Sequence, residues 1–238
     1  MRAVLALPIA FVYTMVLSAM AAISGGLGWD DGADWIIRIW GLGILRLVNV
    51  KVRIIGSENI PAQKGVLFLF NHQSFFDIFA VQGHAKRRVR FGAKIELFSV
   101  PVFNLAMKGV GVLPIAREKR HQVMKVYQAA EKKFSEGWSY ILAPEGTRQN
   151  EPRIGTFKRG PFIFAVNAQV PIVPLVICGT YQVLPKRSLL MNVGCWSRSI
   201  DLIYLPMVST QGLSPEDVPA LMQKVREQMV AAYQAFQN

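Results

Sequence analysis

The chain has 238 residues, enough for one substantial domain with or without a short appendage. Hydrophobic residues make up 52% of it and the mean hydropathy is +0.28, with the excess at the N-terminus, which points to membrane attachment. The formal charge of +12 predicts attraction to polyanions, but the cations form short clusters without a recognition motif, which argues against nucleic acid. Two cysteines, Cys178 and Cys195, are too few for a disulfide framework and wrongly spaced for zinc. With only three histidines besides, no metal centre and no cofactor are expected.

Ala3 to Ile23 form 21 positions without a charge, behind Arg2 and ahead of Gly25-Gly26, about the length that spans a bilayer. A signal peptide is the rival reading, since Ser18-Ala19-Met20-Ala21 resembles a cleavage site, although the run exceeds the usual apolar core of about 7–15 residues. A second apolar segment, Trp35 to Val48, carries Arg38 and Arg46. On a helix, Asp31, Asp34, Arg38 and Asn49 fall in one polar stripe, which suits the headgroup interface or a return path. Residues 1–48 thus form either a single span or a helical hairpin that dips into the membrane and returns. Arg2 favours a cytoplasmic N-terminus, and only the hairpin then keeps residues 49–238 on the cytoplasmic side of an inner membrane. The hairpin is the preferred reading.

From Val50 onward strands alternate with helices. Strands are predicted over Val50–Ile55, Val66–Phe70, Val89–Ala93, Val110–Ile115, Ser139–Ala143, Ile172–Cys178 and Ser199–Leu205. Helices are predicted over Phe75–Val81, Glu118–Glu136, closed by Gly137, and Phe162–Asn167. A last helix starts at Ser214-Pro215-Glu216-Asp217, read as an N-cap, a proline and two acids. Its apolar stripe is Val218, Leu221, Met222, Val225, Met229, Tyr233 and Phe236. The fold class is therefore α/β, a mostly parallel or mixed sheet flanked by helices, in one domain from residue 49 to 238.

The stretch Asn71-His72-Gln73-Ser74-Phe75-Phe76-Asp77 lies between a buried strand and a helix. Within one helix His72 and Asp77 would stand about 140° apart and could not meet. With His72 in the turn and Asp77 in the first helical turn they can. The carboxylate then fixes the imidazole tautomer and leaves the other nitrogen to take a proton from a hydroxyl. The competing reading is a capping box, Ser74 as N-cap and Asp77 reaching back to its N–H.

Further polar groups follow strands at Arg117, which a guanidinium fork suits for phosphate, and at Glu145-Gly146-Thr147-Arg148. Lys158-Arg159 add cations that serve either the same site or anionic lipid, and Val170-Pro171-Ile172-Val173-Pro174-Leu175 reads chemically as core.

In order, NHQSFFD, GVLPIAR, APEGTR and VPIVPL resemble the four motifs of the glycerolipid acyltransferase family, most of all its 1-acylglycerol-3-phosphate acyltransferase branch. The likeness runs from about Val50 to Val208, and the N-terminal pair is similar to the membrane-embedding helices of bacterial members. It implies that His72 is a general base oriented by Asp77, and that Arg117, Glu145, Gly146, Thr147 and Arg148 serve the glycerol-phosphate group. It further implies an acyl donor, acyl-CoA or acyl-carrier protein, and lysophosphatidic acid as acceptor, giving phosphatidic acid in phospholipid biosynthesis at a membrane. Leu113-Pro114, Ala116 and Ala143 depart from the common wording, which leaves the preferred lysophospholipid open. The alternatives are an acyltransferase for another lysophospholipid or for glycerol-3-phosphate, a lysophospholipase, and a non-catalytic basic lipid-binding protein using Arg38, Lys86–Arg90 and Lys158-Arg159. Backbone N–H groups after Ser74 are the expected oxyanion donors.

Overall fold

The computed structural model describes residues 2–62, 65–116, 118–188, 191 and 195–236. Its strands are β1 (Val50–Ile55), β2 (Leu67–Phe70), β3 (Val89–Lys94), β4 (Leu113–Ile115), β5 (Ser139–Leu142), β6 (Ile172–Cys178) and β7 (Arg198–Tyr204). They form one seven-stranded sheet in the order β1-β7-β6-β2-β5-β3-β4. Every pairing is parallel except β6 with β7. The central strands β2 and β5 are buried along their whole length, which is why they read as unbroken apolar runs and not as alternation.

The helices are α1 (Arg2–Gly26), α2 (Asp30–Leu47), α3 (Phe76–His84), α4 (Phe103–Gly109), α5 (Arg120–Ser135), α6 (Gly160–Asn167), the single turn α7 (Thr180–Val183) and α8 (Val218–Ala235). Successive β2 side chains alternate between two cores. Leu67 and Leu69 pack with Tyr127 and Phe134 of α5, Phe164 of α6 and Val225 and Met229 of α8. Phe68 and Phe70 pack with Ile44 and Leu45 of α2 and Phe76 and Ala80 of α3.

α1 and α2 form an antiparallel hairpin, in which the Tyr13 hydroxyl donates to Ile39 O at 2.7 Å and Trp40 Nε1 donates to Thr14 Oγ1 at 3.0 Å. Both helices also lie on the sheet domain, α1 against α4 and α2 against α3. Glycines permit the close approach: a Cβ on Gly25 would overlap the Gly109 backbone, and one on Gly41 would stand 2.6 Å from Gly83 N. Arg88, just before β3, fastens the N-terminus of α2, reaching Asp30 at 3.1 Å, Asp31 at 3.0 Å and Asp34 at 2.9 Å.

Several expectations are corrected. Val110–Val112 do not extend β4; they close α4, a helix the sequence reading missed, with the Val110 N–H donating to Ala106 O. The predicted start of α8 is a turn in which Ser214 N–H and Oγ both donate to Asp217 Oδ2, so the helix begins four residues later with no acid in its first turn. Phe236 is exposed past the end of α8, so it leaves the predicted stripe. Asn49 lies beyond α2 with φ +56° and does not share a helical stripe with Asp34 and Arg38. α2 begins at Asp30 and α3 continues to His84, each a turn or so beyond the predicted bounds.

Candidate active site

The chain leaves β2 over one face through α3 to reach β3, and leaves β5 over the other face through α6 to reach β6. β2 and β5 are neighbours, so the crevice beyond their carboxyl ends is a switch point, where open α/β sheets bind ligands. His72 stands two residues past β2, and Glu145 three past β5.

His72 Nδ1 lies 2.8 Å from Asp77 Oδ2. The Asp77 side chain is fully buried, and the same oxygen accepts the N–H groups of Gln73 at 2.9 Å and Ser74 at 3.0 Å. Asp77 is thus both a cap and a partner of His72, and the two readings of the sequence describe one carboxylate. The capping box is only half formed: the Ser74 hydroxyl accepts from Phe76 N–H and donates to Leu184 O, and the residue at the N-cap is Phe75. Because Nδ1–H donates to a carboxylate, Nε2 carries the free lone pair, and among the described residues no hydrogen bond engages it. The ring packs edge-on against Phe70 at 5.3 Å between centroids.

Among the amides after Ser74, the expected oxyanion donors, that of Phe76 is instead spent on Ser74 Oγ, and the N–H of Ser74 itself is spent on Asp77. The loop itself is fixed from several sides. Asn71 continues the ladder with its side chain, Nδ2 donating to Ile177 O at 2.9 Å and Oδ1 accepting from Ile177 N–H at 2.7 Å. The His72 carbonyl accepts from Gln149 N–H at 2.9 Å.

Glu145 is buried beneath this loop, its Oε1 accepting the His72 N–H at 3.3 Å. Burial pushes its carboxyl up to about 7, the Asp77 carboxylate adds to the rise, and the His72 N–H opposes it. Gly146, at φ +71°, presents bare backbone: a Cβ there would stand 2.9 Å from Lys158 Cε. Thr147 is exposed, and Arg148 lies over the Phe75 ring at 3.9 Å, outside the cavity lining. Arg117 lies outside the described residues. The structure therefore gathers His72, Asp77, Glu145 and Gly146, adds Lys158 and Arg159, and sets Thr147 and Arg148 on the flank.

His72 opens on a cavity of about 340 Å³ with two kinds of wall. Phe70, Ile78, Phe91, Ile115, Met124 and Tyr127 make one side apolar, while Gly146, Lys158 and Arg159 make the other polar. A second, apolar cavity of about 130 Å³ runs between α1, α2, α4 and β3, and Ile78 and Phe91 line both. Asn71 and Gln73 are functional-loop residues to which the sequence assigns no role. Their only signal is two polar residues flanking His72 directly after an apolar strand.

The family model described as Acyltransferase matches residues 51–178, which spans both site loops, and the chain belongs to that family. It is an acyltransferase, and its relatives are 1-acyl-sn-glycerol-3-phosphate acyltransferases. The human alpha enzyme of that name is 32% identical over 200 residues, covering 83% of this chain and 69% of its own length. The yeast (Saccharomyces cerevisiae) enzyme is 29% identical over 234 residues, covering 95% of this chain and 74% of its own. The crystal structure of the 1-acyl-sn-glycerophosphate (LPA) acyltransferase PlsC from Thermotoga maritima shares the fold, with a TM-score of 0.78 over 100% of this chain and 98% of that one at 23% identity.

Proposed function

We propose that the chain transfers a fatty acyl group from a thioester, acyl-CoA or acyl-carrier protein, to the sn-2 hydroxyl of 1-acylglycerol-3-phosphate, forming phosphatidic acid. One observation carries the reading: the His72–Asp77 pair faces a cavity with an apolar wall and a cationic mouth, which matches an acceptor with one acyl chain and one phosphate. The names of the relatives support the same acceptor and product.

In this reading His72 Nε2 takes the hydroxyl proton as the oxygen attacks the thioester carbonyl carbon. The C–O bond forms, the tetrahedral intermediate collapses, the C–S bond breaks, and the imidazolium returns the proton to the departing thiolate. Asp77 holds the tautomer and stabilises the imidazolium. Lys158, Arg159 and Arg117 hold the phosphate, Gly146 shapes the cavity beside it, Glu145 supports the His72 loop from beneath, and Thr147 and Arg148 brace the flank of the site. The apolar cavity that continues past Ile78 and Phe91 takes acyl chain. Neutralising the phosphate by cations at the mouth leaves the hydroxyl within reach of the base.

The hairpin of residues 1–48 attaches residues 49–238 to the membrane in which the acceptor resides. α1 turns Phe11, Val12, Val16 and Ile23 outward, with Trp29 and Trp35 following, and exposed apolar surface of that extent is favourable only in contact with lipid or protein. The test is transfer by purified protein in lipid vesicles, with diacyl product identified by mass. His72→Ala, verified as folded and vesicle-bound, should lose about 10²–10⁴-fold in rate. Retention of full activity, or equal use of lysophosphatidylcholine and lysophosphatidic acid, would overturn the assignment.

A further inference from the structure

We infer that Tyr233, near the end of α8, is a positioning residue for the His72–Asp77 pair and acts through Gln73, 160 positions away in sequence. The inference rests on the reading above, in which His72 is the base. Gln73 is fully buried, and its Nε2 donates to the Tyr233 hydroxyl at 2.7 Å. Its backbone N–H belongs to the peptide that joins it to His72 and donates to Asp77 Oδ2, the oxygen that His72 Nδ1 approaches. The other end of that peptide, the His72 carbonyl, is held by Gln149 N–H. The plane of one peptide therefore sets how much of the Asp77 lone-pair density is left for the imidazole.

A buried carboxamide is a costly choice for packing alone, and Gln73 Oε1 has no hydrogen-bond partner among the described residues. What the carboxamide supplies is direction, because a strong donor locks the side chain to one point on α8. That point is itself fixed: Tyr233 is buried, and Val218, Val225 and Met229 on the same helix are fully buried in the core beneath it. α8 grips the second site loop as well, Arg226 Nε donating to Gly155 O at 3.1 Å, and Gln73 Nε2 on the first loop also reaches Arg153 O of the second at 3.4 Å. The last helix of the chain thus registers the loop after β2 against the loop after β5.

The experiment compares the full-length wild type with Tyr233→Phe in vesicles. Removing the hydroxyl should lower kcat about tenfold while KM for the lysophospholipid stays within about twofold, a displacement of catalytic groups and not of the substrate site. With its Gln73 N–H less well directed, Asp77 leans harder on the imidazolium. The acid limb of the kcat profile and the His72 titration followed by NMR should both move to higher pH. The carboxyls facing His72 are Asp77 and Glu145, and the cations on the cavity are Lys158 and Arg159, so the shift must persist when both proteins carry Glu145→Gln. Val225→Ala, a cavity on the same helix, should lower Tm at least as much without moving the His72 titration. Gln73→Met with Tyr233→Phe should be no worse than Gln73→Met alone. An unmoved His72 titration in Tyr233→Phe, or an equal shift in Val225→Ala, overturns the inference. Absence of acyl transfer by the wild type would instead overturn the proposed reaction, because the titration is read without turnover.

Discussion

Asp77 Oδ2 serves two backbone N–H groups and one imidazole at once, so a substitution there acts on geometry and charge together. Asp77→Asn keeps the size but exchanges a carboxylate for an amide that cannot stabilise an imidazolium. It should cost about 10²–10⁴ in kcat with little change in fold, checked by turnover beside circular dichroism. Glu145 gives a separate, pH-dependent signature. Its carboxyl titrates near 7 in the fold, above its unfolded range, so the folded protein holds the proton longer. Any stabilisation from this group is present at low pH and is lost as pH rises through 7. Denaturant unfolding at pH 5 and pH 8 should show the wild type losing about 2.5 kcal/mol relative to Glu145→Gln between the two. A Glu145→Gln variant with the same pH dependence as the wild type would refute this.

At the scale of elements, the positions that matter are those where two backbones meet. Gly41 of α2 faces Gly83 of α3 with no room for a Cβ. Gly41→Leu should push α2 off α3 and destabilise the protein by about 1–3 kcal/mol, read as a fall in Tm. Glycine in a helix is ordinarily a weakness, and sequence alone gives no reason for it here. Strands were the most legible elements. β1 and β6 keep their predicted bounds for different reasons: β6 is an inner strand whose apolar run is buried almost throughout, whereas β1 is an edge strand in which exposed Lys51 and Arg53 alternate with apolar residues. α4 was illegible because its Phe103–Gly109 segment continues an apolar stretch without a cap or period, and its reason for being helical is the α1 surface it covers.

For the whole molecule, both helices of the N-terminal pair pack on the sheet domain, α1 against α4 and α2 against α3. α1 nevertheless leaves Phe11 and Ile23 largely exposed. Phe11→Glu with Ile23→Glu should weaken vesicle binding by at least about a hundredfold while the soluble fraction stays folded, measured by flotation. Unchanged flotation would remove the hairpin from the attachment surface. We propose that residues 49–238 lie on the cytoplasmic side: protease added outside sealed inverted vesicles should then cleave them, and protease outside right-side-out vesicles should not.

By itself the sequence determined the α/β class, the edges of β1 and β6, and the possibility of a His72–Asp77 contact. Each of these depends on spacing within a short run, where backbone geometry translates residue order directly into direction. Only the tertiary structure decided that Glu145 lies under the His72 loop instead of in the cavity, that Arg148 stacks on Phe75, and that Gln73 meets Tyr233. Those contacts depend on which strands became neighbours. The order β6-β2-β5 is set by how the whole apolar surface of the chain is buried, and no local pattern records it.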